Sequence, residues 1–179
     1  LLSEESHALR RSFELTTFKG LGTKVEICLD ASPWGIGGFL KENGQIVSWY
    51  ACGFSDEELQ LLRIDVASSA AQQTVEALAV LVGLRLWKAR WQHQRILLRV
   101  KSDSTSALVL SLNYKTSGYG AGIIAREIAL DIATSEYKPH VAEHIPGVQN
   151  TIADMLSRRF APAKDYVLPR ELIGIPEAS

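Results

Sequence analysis

The chain has few of the residues that mark several large classes of protein. Its two cysteines, Cys28 and Cys52, indicate neither a disulfide framework nor a zinc site. No apolar run approaches the roughly 20 residues of a membrane-spanning helix, and the N-terminus does not resemble a secretory signal. We therefore expect a soluble protein that is intracellular, either cytoplasmic or nuclear, with no membrane partner.

An excess of positive charge is also missing. The 19 Lys and Arg residues stand against 20 Asp and Glu residues, a net charge of −1, and no basic stripe of the kind that grips phosphates is evident. The most basic region, residues 85–95, closes a predicted helix, where cations complement the helix dipole or contact phosphates. The chain is therefore not expected to bind nucleic acid tightly by itself.

Apolar residues are abundant enough for one folded domain. With 179 residues, of which 46% are hydrophobic, the chain can bury a sizeable core. The single methionine is Met155, so we expect the chain to be a piece of a longer protein, such as a polyprotein. We assign an N-terminal extension or connection (1–23), one domain (24–160) and a proline-containing tail (161–179) that is a linker or a surface strap.

The hydrophobic pattern predicts an α/β fold. Alternating residues indicate a meander of three strands with an Asn43-Gly44 turn, and helical stripes accompany two later strands. A capping box at Ser55 and Glu58 opens a short helix. The predicted strands are Val25–Asp30, Gly38–Lys41, Gln45–Tyr50, Ile96–Val100 and Val141–His144. The predicted helical segments include Ala107–Leu112 and the apolar series Ala121, Ile124, Ala125, Ile128, Ala129 and Ile132.

Four acidic residues have settings that would direct them towards one point. Asp30 ends the first strand before a turn and Asp103 follows the fourth strand, and acids after neighbouring strands share the crevice at that sheet edge. Glu76 borders a buried helical stripe. Asp154 lies near the first turn of a helix that Asn150 is placed to cap. Each acid alone also fits a plainer role as a capping, solvated or dipole-complementing residue.

Two stretches around these acids are the most specific motifs in the chain. Residues 29–40 read LDASPWGIGGFL, and residues 144–158 read HIPGVQNTIADMLSR. They resemble the first-strand signature and the closing stretch of ribonuclease H domains carried by reverse-transcribing (LTR-type) retroelements. Residues 76–79 and 102–104 resemble, more weakly, the catalytic helix and the fourth-strand end of the same family.

The resemblance implies a ribonuclease H-like fold, with a five-stranded mixed sheet in the order 3-2-1-4-5 flanked by helices. It also implies a metal-dependent endonuclease that hydrolyses the RNA strand of RNA/DNA hybrids, with a reverse transcriptase domain in cis or in an assembly. The implied cofactor is two Mg²⁺ ions, for which Mn²⁺ can substitute. Hard carboxylate oxygens are suitable ligands for both the charge and the size of Mg²⁺.

By the same resemblance, His144 assists proton transfer or product release, with His140 as its nearest competitor. The metal-binding and catalytic carboxylates correspond to Asp30, Glu76, Asp103 and Asp154. Main-chain groups around Ala31 and Ser32 would contact the RNA 2′-hydroxyl. Ser104 and Thr105, at a predicted helix start, would contact a phosphate of the DNA strand.

Some features depart from the family pattern or leave other functions open. The stretch 51–71 is longer than expected, which leaves Asp65 and Glu58 as substitutes for Glu76. A transposase or integrase shares the metal chemistry, but its acids run Asp, Asp, Glu. A catalytically silent ribonuclease H-like scaffold or partner-binding domain is the other alternative.

Overall fold

A computed structural model of the chain contains a five-stranded mixed sheet with helices on both faces. The residues it describes are 22–65, 68–91, 96–103, 119–134, 141–144, 146, 150–162 and 165–178. None of the helices in these ranges combines the length and the apolar character needed to cross a membrane.

The elements alternate between strands and helices along the chain. The strands are β1 (Thr23–Ser32), β2 (Gly35–Glu42), β3 (Gln45–Gly53), β4 (Ile96–Ser102) and β5 (Val141–His144). The helices are α1 (Asp56–Leu61), α2 (Ser69–Leu86), α3 (Lys88–Trp91), α4 (Tyr119–Thr134) and α5 (Thr151–Ser157), followed by a 3₁₀ turn at Arg170–Leu172.

The sheet order is β3-β2-β1-β4-β5. Strands β1, β2 and β3 pair antiparallel, β4 pairs parallel to β1, and β5 pairs parallel to β4. The predicted α/β class with a mixed sheet is confirmed, as is the placement of the first strand between the second and fourth. Both parallel pairs direct their carboxyl ends to the same edge of the sheet.

The meander follows its predicted turn chemistry but is longer than predicted. Asn43 and Gly44 have positive φ angles of 50° and 87°, as a two-residue hairpin turn requires. The prediction that the first strand ends at Asp30 is wrong. Strand β1 continues to Ser32, because its last residues pair with β2 across a Pro33-Trp34 connection. Asp30 is therefore held inside a paired strand rather than in a turn.

One face of the sheet is covered by α2 and α4. The odd-numbered residues of β1, such as Ile27 and Leu29, point into this core, and the predicted α4 stripe is buried there from Ala121 to Ile128. The sequence predicts one buried stripe on α2, formed by Val75, Leu78, Ala79, Val82 and Leu86. The buried surface of α2 is wider than this stripe, because the helix contacts both the sheet and α4. The additional buried residues of α2 include Ala77, Val80, Leu81 and Leu84.

In the described part of the basic region that closes α2, Arg85 and Arg90 form ion pairs with neighbouring elements. Arg85 contacts Glu127 at 2.5 Å and Asp131 at 2.6 Å, both on α4. Arg90 contacts Glu42 at 3.3 Å. The exposed side chains in these pairs join α2 and α3 to neighbouring elements.

The other face of the sheet is covered by α5 and by residues 165–178, here named the strap. Leu172 of the strap is fully buried in a second core with Phe39, Trp49 and Leu156. The Trp49 indole donates to the carbonyl of Ile175 at 2.9 Å. Of the two possibilities for this tail, the described part forms a strap that contributes to the core.

Several predictions lie outside the described residues. They concern the N-terminal extension over residues 1–21, the helix Ala107–Leu112, the phosphate-contacting pair Ser104 and Thr105, and the competing histidine His140. The capping box, in contrast, is confirmed. Ser55 Oγ accepts from the Glu58 amide at 3.2 Å, and Glu58 Oε2 accepts from the Ser55 amide at 2.9 Å.

Replacing Leu172 tests whether the strap belongs to the folding unit. Leu172→Ala should lower the free energy of unfolding by about 2–5 kcal/mol, because it leaves a cavity in the second core. The neighbouring Ile173 is 70% exposed, so Ile173→Ala should change it by less than about 0.5 kcal/mol. Urea denaturation of both variants measures the difference, and equal small effects would show that the strap does not contribute to stability.

Candidate active site

The register of the sheet brings Asp30 and Asp103 to one edge. Parallel pairing of β1 with β4 ends at Cys28 and Lys101, and each acid follows its paired residue by two positions. Side chains two positions apart share a face of the sheet, so both carboxylates belong to the α5 side of this edge. Asp30 is 7% exposed, whereas Asp103 is solvent-exposed.

Helix α5 supplies the third carboxylate and a direct contact with Asp30. Asp154 lies in its first turn, as predicted. Ser157, one turn later, is fully buried, and its hydroxyl donates to Asp30 Oδ2 at 2.6 Å. The same hydroxyl oxygen lies 2.9 Å from the main-chain carbonyl oxygen of Asp154. The end of α5 is thus attached to the acid on β1.

A glycine on β2 allows this close approach. Gly37 pairs with Asp30 across the hairpin, and α5 lies directly over it. A Cβ atom at Gly37 would stand 2.4 Å from Leu156 Cβ and 2.5 Å from the Ser157 amide nitrogen, closer than packed atoms tolerate. Only a residue without a side chain permits α5 to contact Asp30 in this way.

The surroundings of Asp30 raise its pKa to about 7, with burial as the largest cause. Desolvation disfavours the charged carboxylate, and the negative charges of Asp103 and Asp154 raise the pKa further. The Ser157 hydroxyl and the Arg158 guanidinium act in the opposite direction. The three acids are therefore close enough to interact electrostatically.

Asp154 is also engaged by a cation. Its Oδ1 lies 2.6 Å from Arg158 Nε, one turn along the helix. Within the described parts of the chain, no three His, Cys, Asp or Glu side chains converge closely enough to hold a metal ion in this arrangement. The donor set still suits a hard divalent cation in chemical terms, and such a cation would compete with Arg158 for Asp154.

Glu76 lies on the helix that packs against the other face of the sheet from α5. It lies on α2, as predicted, and its Oε1 accepts from Gln72 Nε2 at 3.1 Å. The same Gln72 amide donates to the carbonyl of Ala31 at 3.2 Å, the residue directly after Asp30. Glu76 is thus connected to the end of β1 through one side chain. Its two substitutes are placed elsewhere, with Glu58 in the capping box and Asp65 exposed between α1 and α2.

His144 is the last residue of β5, and its Cα is paired with that of Ser102. Because Asp103 follows Ser102, the sheet register places His144 at the same edge as the acids. The role of the histidine in proton transfer stays a prediction.

The residues predicted to contact the RNA near β1 take part in packing, and the contact of their main-chain groups with RNA stays a prediction. Ser32 is 1% exposed, and its hydroxyl donates to the Ser157 carbonyl at 2.8 Å. Ala31 is buried, and its carbonyl accepts from Gln72. Long-range packing therefore uses both residues to hold α5 and α2, and only Pro33 and Trp34 present surface at this turn. The Trp34 ring lies 5.8 Å from the Arg158 guanidinium.

Sequence reasoning missed two supporting residues and gave a third the wrong role. It did not identify Gln72 or Ser157, whose polar side chains contact residues that are distant in sequence. It placed Asn150 as a side-chain N-cap, but Asn150 makes no side-chain cap hydrogen bond. Instead its Nδ2 donates to the Leu29 carbonyl at 3.0 Å, because burial (1% exposed) directs the amide into the protein. No described residue hydrogen-bonds to its Oδ1.

Comparisons with known proteins give a distant likeness to a solved structure. No family model matches the chain, and no curated protein matches it. Among solved structures, the chain is similar to one described as the crystal structure of RNase H1 from the halophilic archaeon Halobacterium salinarum NRC-1. The identity is 14%, the match covers 75% of this chain and 92% of that chain, and the TM-score is 0.48. At this level the likeness carries nothing about the chemistry of the site.

The raised pKa of Asp30 predicts a pH-dependent stability change. Between about pH 4 and pH 7 the folded state holds a proton on Asp30 that the unfolded state has lost, so the free energy of unfolding falls as pH rises. Asp30→Asn removes this penalty. The variant should be more stable than the wild type at pH 8, by roughly 2–4 kcal/mol, since one pKa unit corresponds to about 1.4 kcal/mol.

The stability gain should shrink as the pH falls, and it should vanish only below about pH 4, where Asp30 becomes protonated in the unfolded state as well. Urea denaturation at pH 4.5 and pH 8 with EDTA present provides the measurement. Asp165→Asn, which removes an exposed carboxylate from the strap, is the control and should keep the pH dependence of the wild type. Equal stability of Asp30→Asn and the wild type at pH 8 would contradict the assigned burial of the charge.

Proposed function

We propose that the chain is a metal-dependent endonuclease that hydrolyses the RNA strand of RNA/DNA hybrids. The observation that carries the proposal is the electrostatic interaction of three carboxylates from separate elements, Asp30 on β1, Asp103 after β4 and Asp154 on α5. Their mutual repulsion is part of what raises the pKa of Asp30. Repulsion between neighbouring carboxylates lowers stability, and a bound cation offsets it. Such clusters of perturbed acids are therefore typical of functional sites.

Hydrolysis of a phosphodiester requires an attacking water and stabilisation of negative charge on the phosphoryl and leaving oxygens. Two Mg²⁺ ions would supply that electrostatic stabilisation and orient the reacting groups. Asp30, Asp103 and Asp154 would hold them. Glu76 would complete the set from α2, where Gln72 connects it to the end of β1.

The residues of the chain would divide the remaining tasks. Arg158 balances the charge of Asp154 until a cation competes for this carboxylate. His144, at the end of β5, would assist proton transfer or product release. The low net charge of −1 agrees with a domain that depends on an attached module for substrate grip. We propose a reverse transcriptase of a retroelement as that module, on the basis of the motifs at residues 29–40 and 144–158.

A second candidate function is a catalytically silent scaffold or partner-binding domain of the same fold. Two observations favour it. Asp154 is engaged by Arg158 at 2.6 Å, and the acids among the described residues do not form a ready cation site. The two candidates differ in whether a divalent cation can draw Asp154 away from Arg158.

Incubation of the purified chain with labelled hybrid separates the candidates. With Mg²⁺ or Mn²⁺ we expect cleavage of the RNA strand of an RNA/DNA hybrid, with RNA/RNA and DNA/DNA duplexes left intact. EDTA should abolish the reaction. An absence of cleavage with either metal would favour the scaffold, and efficient cutting of duplex DNA would favour an integrase-type enzyme.

Two substitutions should separate metal binding from proton transfer. Asp103→Asn removes a proposed ligand, so it should eliminate both catalysis and the rise in thermal stability that Mg²⁺ gives by binding the folded state. His144→Ala should keep the Mg²⁺-dependent rise in melting temperature, while turnover falls by about 10²–10⁴-fold. Thermal denaturation with and without Mg²⁺, beside the hybrid assay, measures both. Loss of the metal effect in His144→Ala would contradict this division.

A further inference from the structure

We propose that Ser157 is a positioning residue that orients the carboxylate of Asp30 for metal binding. The inference rests on the proposed function, since it assumes that the carboxylates of the candidate site hold divalent cations. It assigns a defined task to a side chain that does not itself coordinate metal.

The hydroxyl of Ser157 contacts the carboxylate of Asp30 and the main chain of Asp154. Its Oγ lies 2.6 Å from Asp30 Oδ2 and 2.9 Å from the main-chain carbonyl oxygen of Asp154. A hydroxyl has one hydrogen, and donation to a charged carboxylate is the stronger of the two bonds. One group therefore contacts the side chain of one acid and the main chain of the next.

Ser157 is held firmly enough to orient its partner. Its carbonyl accepts from Ser32 Oγ at 2.8 Å, and its main chain lies against Gly37 of β2, where a Cβ atom would come within 2.5 Å of its nitrogen. These contacts do not involve Asp30. The end of α5 is thus fixed by two strands, and the position of the hydroxyl follows from that fixation.

Fixing one oxygen of a carboxylate fixes the other. With Oδ2 of Asp30 held by Ser157, the planarity of the group determines the direction of Oδ1. A ligand that is already oriented loses less side-chain freedom when a cation binds. Partners that orient metal ligands typically contribute roughly 10–100-fold in metal affinity or activity.

The test is calorimetric titration of the 179-residue chain with Mn²⁺ in the absence of nucleic acid. Ser157→Ala should raise the dissociation constant for Mn²⁺ by about tenfold or more. Alanine is a good helix former, so the variant should fold, and a urea unfolding curve checks that it does. The matched control is Ser48→Ala. It removes another buried hydroxyl, the acceptor of the Trp87 indole at 3.1 Å, from β3 and should leave Mn²⁺ affinity unchanged.

The kinetics of hybrid cleavage provide a second measurement. Ser157→Ala should lower kcat with little change in KM for the hybrid, because the hydroxyl acts on the metal ligands and not on substrate binding. A loss caused only by lower stability would appear in Ser48→Ala as well. Wild-type Mn²⁺ affinity and kcat in Ser157→Ala would overturn the positioning role.

The outcomes keep this inference separate from the proposed function. Cleavage by the wild type together with an unaffected Ser157→Ala overturns the positioning role alone. Mn²⁺ binding without cleavage overturns the nuclease, and the ratio of dissociation constants between the wild type and Ser157→Ala still decides the role of Ser157. A wild-type chain that neither binds Mn²⁺ nor cleaves hybrid overturns both.

Discussion

The candidate site depends on one buried charge, the carboxylate of Asp30 beneath the end of α5. Removing a carboxylate from water is costly unless hydrogen bonds or nearby cations compensate. Here the Ser157 hydroxyl is the direct compensation, and Arg158 contributes at longer range. The contact exists only because Gly37 gives α5 room to lie on β2. The position of Asp154 follows, since it lies on the same helix.

Alternate side chains of β1 point to opposite faces of the sheet and enter two separate cores. Odd-numbered side chains enter the large core under α2 and α4, whereas Cys28 enters the smaller core under α5. Asp30 continues the row of Cys28 to the edge of the sheet. The acid is therefore buried near the carboxyl end of β1, where it is close to the solvent-exposed Asp103. Glu76 lies on the other side of the sheet, and Gln72 connects it to this edge by hydrogen bonds to Glu76 and to the Ala31 carbonyl.

Patterns with a local cause were predictable from the sequence. The alternation in β1, the Asn43-Gly44 turn, the Ser55 capping box and the stripe of α4 all depend on neighbours within a few positions. The order of the acids also identified which carboxylates to examine, and Asp30, Asp103 and Asp154 do interact electrostatically. These features needed no knowledge of the tertiary structure.

Features with a distant partner were not predictable. The extension of β1 to Ser32 depends on pairing with β2, and the burial of Ser32 depends on a carbonyl 125 positions away. Asn150 contacts a carbonyl 121 positions away instead of capping its helix, and Ser157 contacts Asp30 over 127 positions. A hydroxyl or amide gives no periodic signal in the sequence, so its partner emerges only from packing.

The strap has a consequence for association between copies of the chain. Strand β3 is at one edge of the sheet, and an unpaired edge is a template for another strand. At Trp49 both main-chain groups are already used, since its amide donates to Pro176 at 3.3 Å and its carbonyl accepts from Ala178 at 2.7 Å. The end of the strap thus covers the edge of β3 at Trp49 and hinders the pairing of another chain's strand there.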